Sequence, residues 1–182
     1  LLTTGDANVF IGKGAADAVT TASNNVIIGQ NAFAEVTTTS AVTGVVAIGK
    51  NSIAGSASTT DSINYTIAIG YDSLNDLTTG PANVVIGGFA ADELTTGANN
   101  TVVGYGALGV ADGNESNNVV IGASAGASID NDDSDNNVLI GYQAGTGGTG
   151  SILNSVFIGS GAGDNTDDIG GDSNIFIGKD SG

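Results

Sequence analysis

Asn137-Val138-Leu139-Ile140-Gly141 is one of ten versions of a single block, and the fold follows from how the ten line up. The blocks centre on Gly12, Gly29, Gly49, Gly70, Gly87, Gly104, Gly122, Gly141, Gly159 and Gly178, at spacings of 17 to 21 residues. A repeat of this length in a 182-residue chain predicts a solenoid, a single elongated body rather than two globular domains. One residue before the glycine stands Ile or Val in every block, and three before it Val, Ile or, once, Thr101. All of these are β-branched, stiff at χ1 and suited to a pleated surface, and their i, i+2 spacing puts both on one face of a strand. The glycine itself reads as a corner that needs positive φ or has no room for a Cβ. Three residues after it only Ala or Ser occurs, as expected where a second short strand passes close to the first.

These columns give an all-β fold, a parallel β-solenoid (β-roll) of about ten rungs, roughly 50 Å long at the usual interstrand spacing. An isolated rung buries too little to repay its ordering, so the rungs must stack. Asparagines lie four and five residues before many of the glycines, as in Asn24-Asn25, Asn99-Asn100, Asn117-Asn118 and Asn136-Asn137. Stacked amides can bond to one another along the axis, which makes these a structural ladder.

The middle strand position is apolar too: Phe10, Ile27, Ala47, Ala68, Val85, Val102, Val120, Leu139, Phe157 and Phe176. A strand apolar on both faces is buried on both faces. With the β-branched pair taken as the interior, the larger middle residues Phe10, Ile27, Val85, Val102, Val120, Leu139, Phe157 and Phe176 are expected on an outer stripe. Such a stripe is too apolar to stay wet, and its simplest cover is further copies of the chain, associated in parallel as a homotrimer.

Charge follows the same register. The chain carries nineteen acidic residues against three lysines, a net charge of -16, and only Asp72 and Asp180 fall inside the blocks. The other acids lie in the variable linkers, which read as solvated loops on one corner. This balance excludes nucleic-acid binding by counterion release. Lys13, Lys50 and Lys179 share the position after the glycine with Tyr71, Tyr105 and Tyr142, an exposed ridge along the rod. No apolar run reaches membrane-spanning length, so no membrane insertion is expected. The chain opens in mid-repeat, Leu2-Thr3-Thr4-Gly5 matching Leu77-Thr78-Thr79-Gly80, and reads as a segment of a longer fibre.

The strings Asn-Val-Phe-Ile-Gly, Val46-Ala47-Ile48-Gly49-Lys50-Asn51-Ser52 and the run from Leu94 to Leu108 resemble two related repeat classes. One is the head repeat of trimeric autotransporter adhesins, a left-handed parallel β-roll built as a homotrimer. The other is the similar repeat of phage and virion tail fibres. The longer, acidic linkers depart from the adhesin pattern and favour the tail fibre. The resemblance implies a structural or adhesive fibre segment used in host attachment, located on a virion or at the cell surface. Its partners would be copies of itself, flanking fibre segments or virion proteins, and a host surface receptor or glycan. The alternatives are the head of a bacterial trimeric surface adhesin and a polysaccharide-degrading tailspike.

Little in the chain suggests catalysis. Without His or Cys, nucleophilic triads and soft-metal sites are absent. Gly145 to Gly150 fits a dinucleotide fingerprint on paper, but no helical pattern follows it. Asp130, Asp132, Asp133 and Asp135 begin like a calcium loop, yet lack the glycine at the sixth place and the glutamate at the twelfth. They are candidate ligands for a weakly bound divalent cation such as calcium; no other cofactor is expected, and the chain is not expected to be an enzyme.

Overall fold

The computed structural model describes residues 2–36, 42–55, 63–129, 134–146, 152–164 and 173–182. The chain is an all-β parallel solenoid with no α-helix among these residues. Each block contributes one three-residue strand: β1 (Val9–Ile11), β3 (Val26–Ile28), β5 (Val46–Ile48), β6 (Ile67–Ile69), β7 (Val84–Ile86), β8 (Thr101–Val103), β9 (Val119–Ile121), β10 (Val138–Ile140), β11 (Val156–Ile158) and β12 (Ile175–Ile177). They form one ten-stranded parallel sheet in chain order. Every pairing is in register, middle residue on middle residue, as in Leu139 opposite Phe157. Two shorter strands, β2 (Ala22–Ser23) and β4 (Val42–Thr43), pair beside the sheet between the early rungs.

The block glycines hold the rungs at strand spacing. Their φ values run from 129° to 151°, a region that L side chains rarely enter. In every rung but the last, a Cβ on the glycine would overlap the carbonyl oxygen of the next block glycine, as Gly104 would with Gly122. The glycine N–H donates to the rung before it, Gly29 to the Ile11 carbonyl at 2.8 Å and Gly104 to Ile86 at 2.9 Å. Two more ladders continue round the corner. Two residues past the glycine the N–H donates to the preceding rung (Asn31 to Lys13, 2.9 Å), and four past it to the following rung (Leu74 to Ala90, 3.1 Å). The Ala/Ser column between them is buried in a run of turns, so the expected second strand is a corner instead.

The two faces of the sheet are the reverse of the sequence expectation. The middle column fills the solenoid: Ile27, Ala47, Ala68, Val85, Val102, Val120, Leu139 and Phe157 are all fully buried, and Phe10 and Phe176 pack against this core from the two end rungs. The β-branched pair points outward and is at most half-buried, except where it is exposed.

Size decides this. The middle residue varies from Ala to Phe, and at these extremes a partner four residues past the glycine varies in the opposite sense, although rung two holds both Ile27 and Phe33. Small Ala47 and Ala68 share their rungs with buried Ile53 and Leu74. Large Leu139 and Phe157 share theirs with Gly145 and Gly163. A Cβ on Gly163 would stand 2.8 Å from Cδ2 of Phe157, and one on Gly145 would stand 3.0 Å from both methyls of Leu139. These rungs fill their cross-section with two complementary side chains rather than one uniform pair. The partners sit at positive φ, 45° at Ile53 and 48° at Leu74, a strained geometry for such residues that their complete burial offsets.

The linkers also supply core. Seven residues past the glycine come Val19, Val36, Leu77, Leu94, Ala111 and Ile129, all buried. Expectation had placed the whole linker on the surface.

Candidate functional site

The outer face of the sheet is the largest functional candidate. Its twenty positions are Val or Ile with the exception of Thr101, and none is charged. In the end rungs Val9, Ile11, Ile175 and Ile177 are 44% to 68% exposed, and along the shaft Ile86 and Ile121 are 40% and 37% exposed. Ten stacked strands three residues wide make a strip about 43 Å by 10 Å in projection, roughly 430 Å². A strip of this size, apolar but for Thr101, is in the range that marks an interaction surface.

The residues expected to form that surface lie elsewhere. Ile27, Val85, Val102, Val120, Leu139 and Phe157 have no exposure at all, and Phe10 and Phe176 close the two ends of the same internal column. They are packing residues within one chain, because a three-residue strand has one inward side chain and the inward slot is the one whose volume the corner residue can balance. The rings of Phe157 and Phe176 stack at 5.0 Å inside the solenoid.

The asparagine columns separate into two roles. Five residues before the glycine, Asn24, Asn99, Asn117, Asn136 and Asn154 hold left-handed corners with φ from 54° to 62°. Asparagine tolerates that region better than most residues. Four before it, Asn25, Asn83, Asn100, Asn118 and Asn137 are buried. Their amides run as a chain along the axis. Asn137 donates from its backbone N–H (2.9 Å) and from Nδ2 (3.1 Å) to Oδ1 of Asn118. Nδ2 of Asn118 in turn donates to the Ser134 carbonyl at 2.9 Å. The ladder is consumed by the fold and offers nothing to a ligand. The column holds no amide at Val45, Thr66 and Ser155, and at Ser155 the hydroxyl takes over, accepting the Asn174 N–H at 3.1 Å.

Of the candidate metal ligands, Asp130, Asp132 and Asp133 lie outside the described residues. Asp135 is half-buried, and its Oδ1 accepts the Ser116 N–H. Among the described residues no three or more His, Cys, Asp or Glu side chains gather as a metal site would require. The linker acid Glu115 departs from the solvated-loop expectation, being fully buried with Oε2 accepting the Gly113 N–H at 3.2 Å.

The corner after the glycine carries the remaining surface chemistry. Over the early rungs it forms an open groove of about 720 Å³ lined by Asp17, Asn31, Glu35, Asn51 and Asn75. Over the next rungs it becomes aromatic. Tyr71, Phe89 and Tyr105 meet edge to face, with ring centroids 5.1 Å and then 5.8 Å apart. Lys50 holds its ammonium 5.3 Å from the Tyr71 ring centre. At the far end of the rod Lys179 pairs with Asp180.

No protein-family model, no curated protein and no solved structure matches the chain. The surfaces themselves have to carry the functional reading.

Proposed function

We propose that the chain is a structural and adhesive segment of a homotrimeric fibre, of the kind that phage and virion tail fibres use for host attachment. The observation that supports this most directly is the uncharged, β-branched outer face that runs the length of the ten-stranded sheet. A solenoid that keeps such a strip in every rung, while placing its acids elsewhere, has a use for a continuous dry contact along its axis. Three parallel copies turning the strip toward a common axis would bury it and leave the acidic linkers outward, which suits an extended shaft in water. The number three comes from the resemblance to trimeric fibre repeats. On this reading the flanking partners are further fibre segments, the site of action is a virion or cell surface, and the host receptor or glycan is met by the outward corners. Catalysis plays no part.

The test is the mass of the purified chain in solution by light scattering coupled to size exclusion. The proposal expects three times 17.6 kDa. A stable, soluble species of 17.6 kDa would remove it.

A further inference from the structure

We propose that the Tyr71–Phe89–Tyr105 ridge, with the acids Asp72, Asp76, Asp92 and Glu93 carried by the same rungs, is a docking surface for a basic, arginine- or lysine-bearing segment of a partner protein. This goes beyond the fibre reading and does not depend on the number of copies in the assembly.

The ridge is built, not incidental. Tyr71, Phe89 and Tyr105 come from three successive rungs, and edge-to-face contact fixes each ring against the next. Yet the tyrosines stay open to solvent, 44% at Tyr71 and 64% at Tyr105. Aromatic rings held rigid and left wet are the usual raw material of a contact surface.

Charge selects the partner. Asp76 and Asp92 stand on adjacent rungs, the Asp76 N–H donating to the Asp92 carbonyl at 3.0 Å, and burial followed by Glu93, Asp72 and Asp76 holds the Asp92 carboxyl above its ordinary range. Asp72 is fixed in place by Nδ2 of Asn51, which donates to its Oδ1 at 2.7 Å. A cation brought to the ridge would gain both the ring faces and relief of that repulsion. The chain itself shows the mode, for Lys50 already lies over Tyr71 from the neighbouring rung. A glycan is the poorer fit. The planes of Tyr71 and Tyr105 are inclined at 62° and 78° to the phenylalanine between them, which denies a flat platform to consecutive sugar rings.

The experiment titrates the folded chain with an octa-arginine peptide at low salt. The intrinsic tyrosine emission is read, since there is no tryptophan to mask it, with calorimetry alongside. Three variants are compared, each checked by its melting curve: Tyr71→Ala with Tyr105→Ala, Asp6→Asn with Asp17→Asn as a matched loss of distant charge, and Lys50→Gln. The inference expects the tyrosine pair to weaken binding at least tenfold and the distant acids to change it less than twofold. Lys50→Gln should tighten it about two- to fivefold by removing the internal competitor. Weakening by the distant-acid variant with none by the tyrosine variant would mean that only the overall negative field attracts the peptide, and would overturn the inference. So would an absence of binding. Neutral oligosaccharides binding in the peptide's place would assign the ridge to a glycan and overturn it as well.

Discussion

Rung nine can be rebuilt as a copy of rung five by exchanging two side chains, which tests the size-compensation rule. In rung nine Phe157 fills the interior opposite Gly163; in rung five Val85 does so opposite Ala91. Phe157→Val alone removes part of a fully buried ring and its stacking on Phe176, and should cost about 2–3 kcal/mol from transfer and cavity together. Gly163→Ala alone drives a Cβ to 2.8 Å from Cδ2 and 2.9 Å from Cε2 of Phe157, at a φ of 71°. Overpacking of this kind costs about 1–3 kcal/mol, with roughly 1 kcal/mol more for the left-handed backbone. In the double variant the new methyl enters the space the ring has left. The pair should then be more stable than the sum of the single changes by about 1–2 kcal/mol, a coupling that chemical denaturation of all four proteins would resolve. In thermal melts of a chain this size the coupling corresponds to about 2–8 °C. Additive costs within about 0.3 kcal/mol would refute the idea that these two columns fill one shared volume.

Three other outcomes follow from the same geometry. Asn118→Leu takes an acceptor from the buried Asn137 and a donor from the Ser134 carbonyl, so a loss of about 3 kcal/mol or more is expected in urea denaturation. Gly104→Ala combines a φ of 148° with overlap on the Gly122 carbonyl and should give no soluble folded protein, or one destabilised by about 4 kcal/mol or more by circular dichroism. Asp92 has its carboxyl raised by burial and then by Glu93, Asp72 and Asp76. The folded state therefore binds this proton more tightly than the unfolded chain, and its share of stability falls as pH rises from the ordinary aspartate range through the raised value. Asp92→Asn should flatten that part of the melting-temperature profile; an unchanged slope would show that this half-buried position carries no such effect.

How much of this was legible in the sequence depends on which interaction decides each feature. The rungs, their register and the parallel sheet follow from the block glycines and the β-branched columns, because backbone ladders and steric exclusion act on one residue type at a time. The direction each column faces did not follow. A uniform β-branched pair looks like core when a single position is considered, whereas the interior is set by two positions together. The inverse variation of Ala47 with Ile53 and of Phe157 with Gly163 was present in the aligned blocks and is the signal that settles it. The buried linker column of Val19, Leu77 and Leu94 was visible in the same alignment, seven residues past each glycine. Its acidic surroundings drew attention to charge instead. The aromatic ridge could be read only as a shared column of tyrosine and lysine. That Phe89, from a different column, bridges Tyr71 and Tyr105 is seen only in three dimensions.

The central claim is that the middle column belongs to the inside of one chain and the flanking pair to a contact between chains. A matched pair of substitutions one residue apart tests it, with mass by light scattering and β-sheet signal by circular dichroism measured on each. Val120→Asp puts a carboxylate at a position with no exposure, so it should destroy the local rungs and the fold signal with them. Ile121→Asp puts the same charge on a side chain already 37% exposed, so the β signal should survive while the mass falls to that of a single chain, 17.6 kDa. The account is contradicted if Ile121→Asp unfolds the chain while Val120→Asp leaves it folded but dissociated.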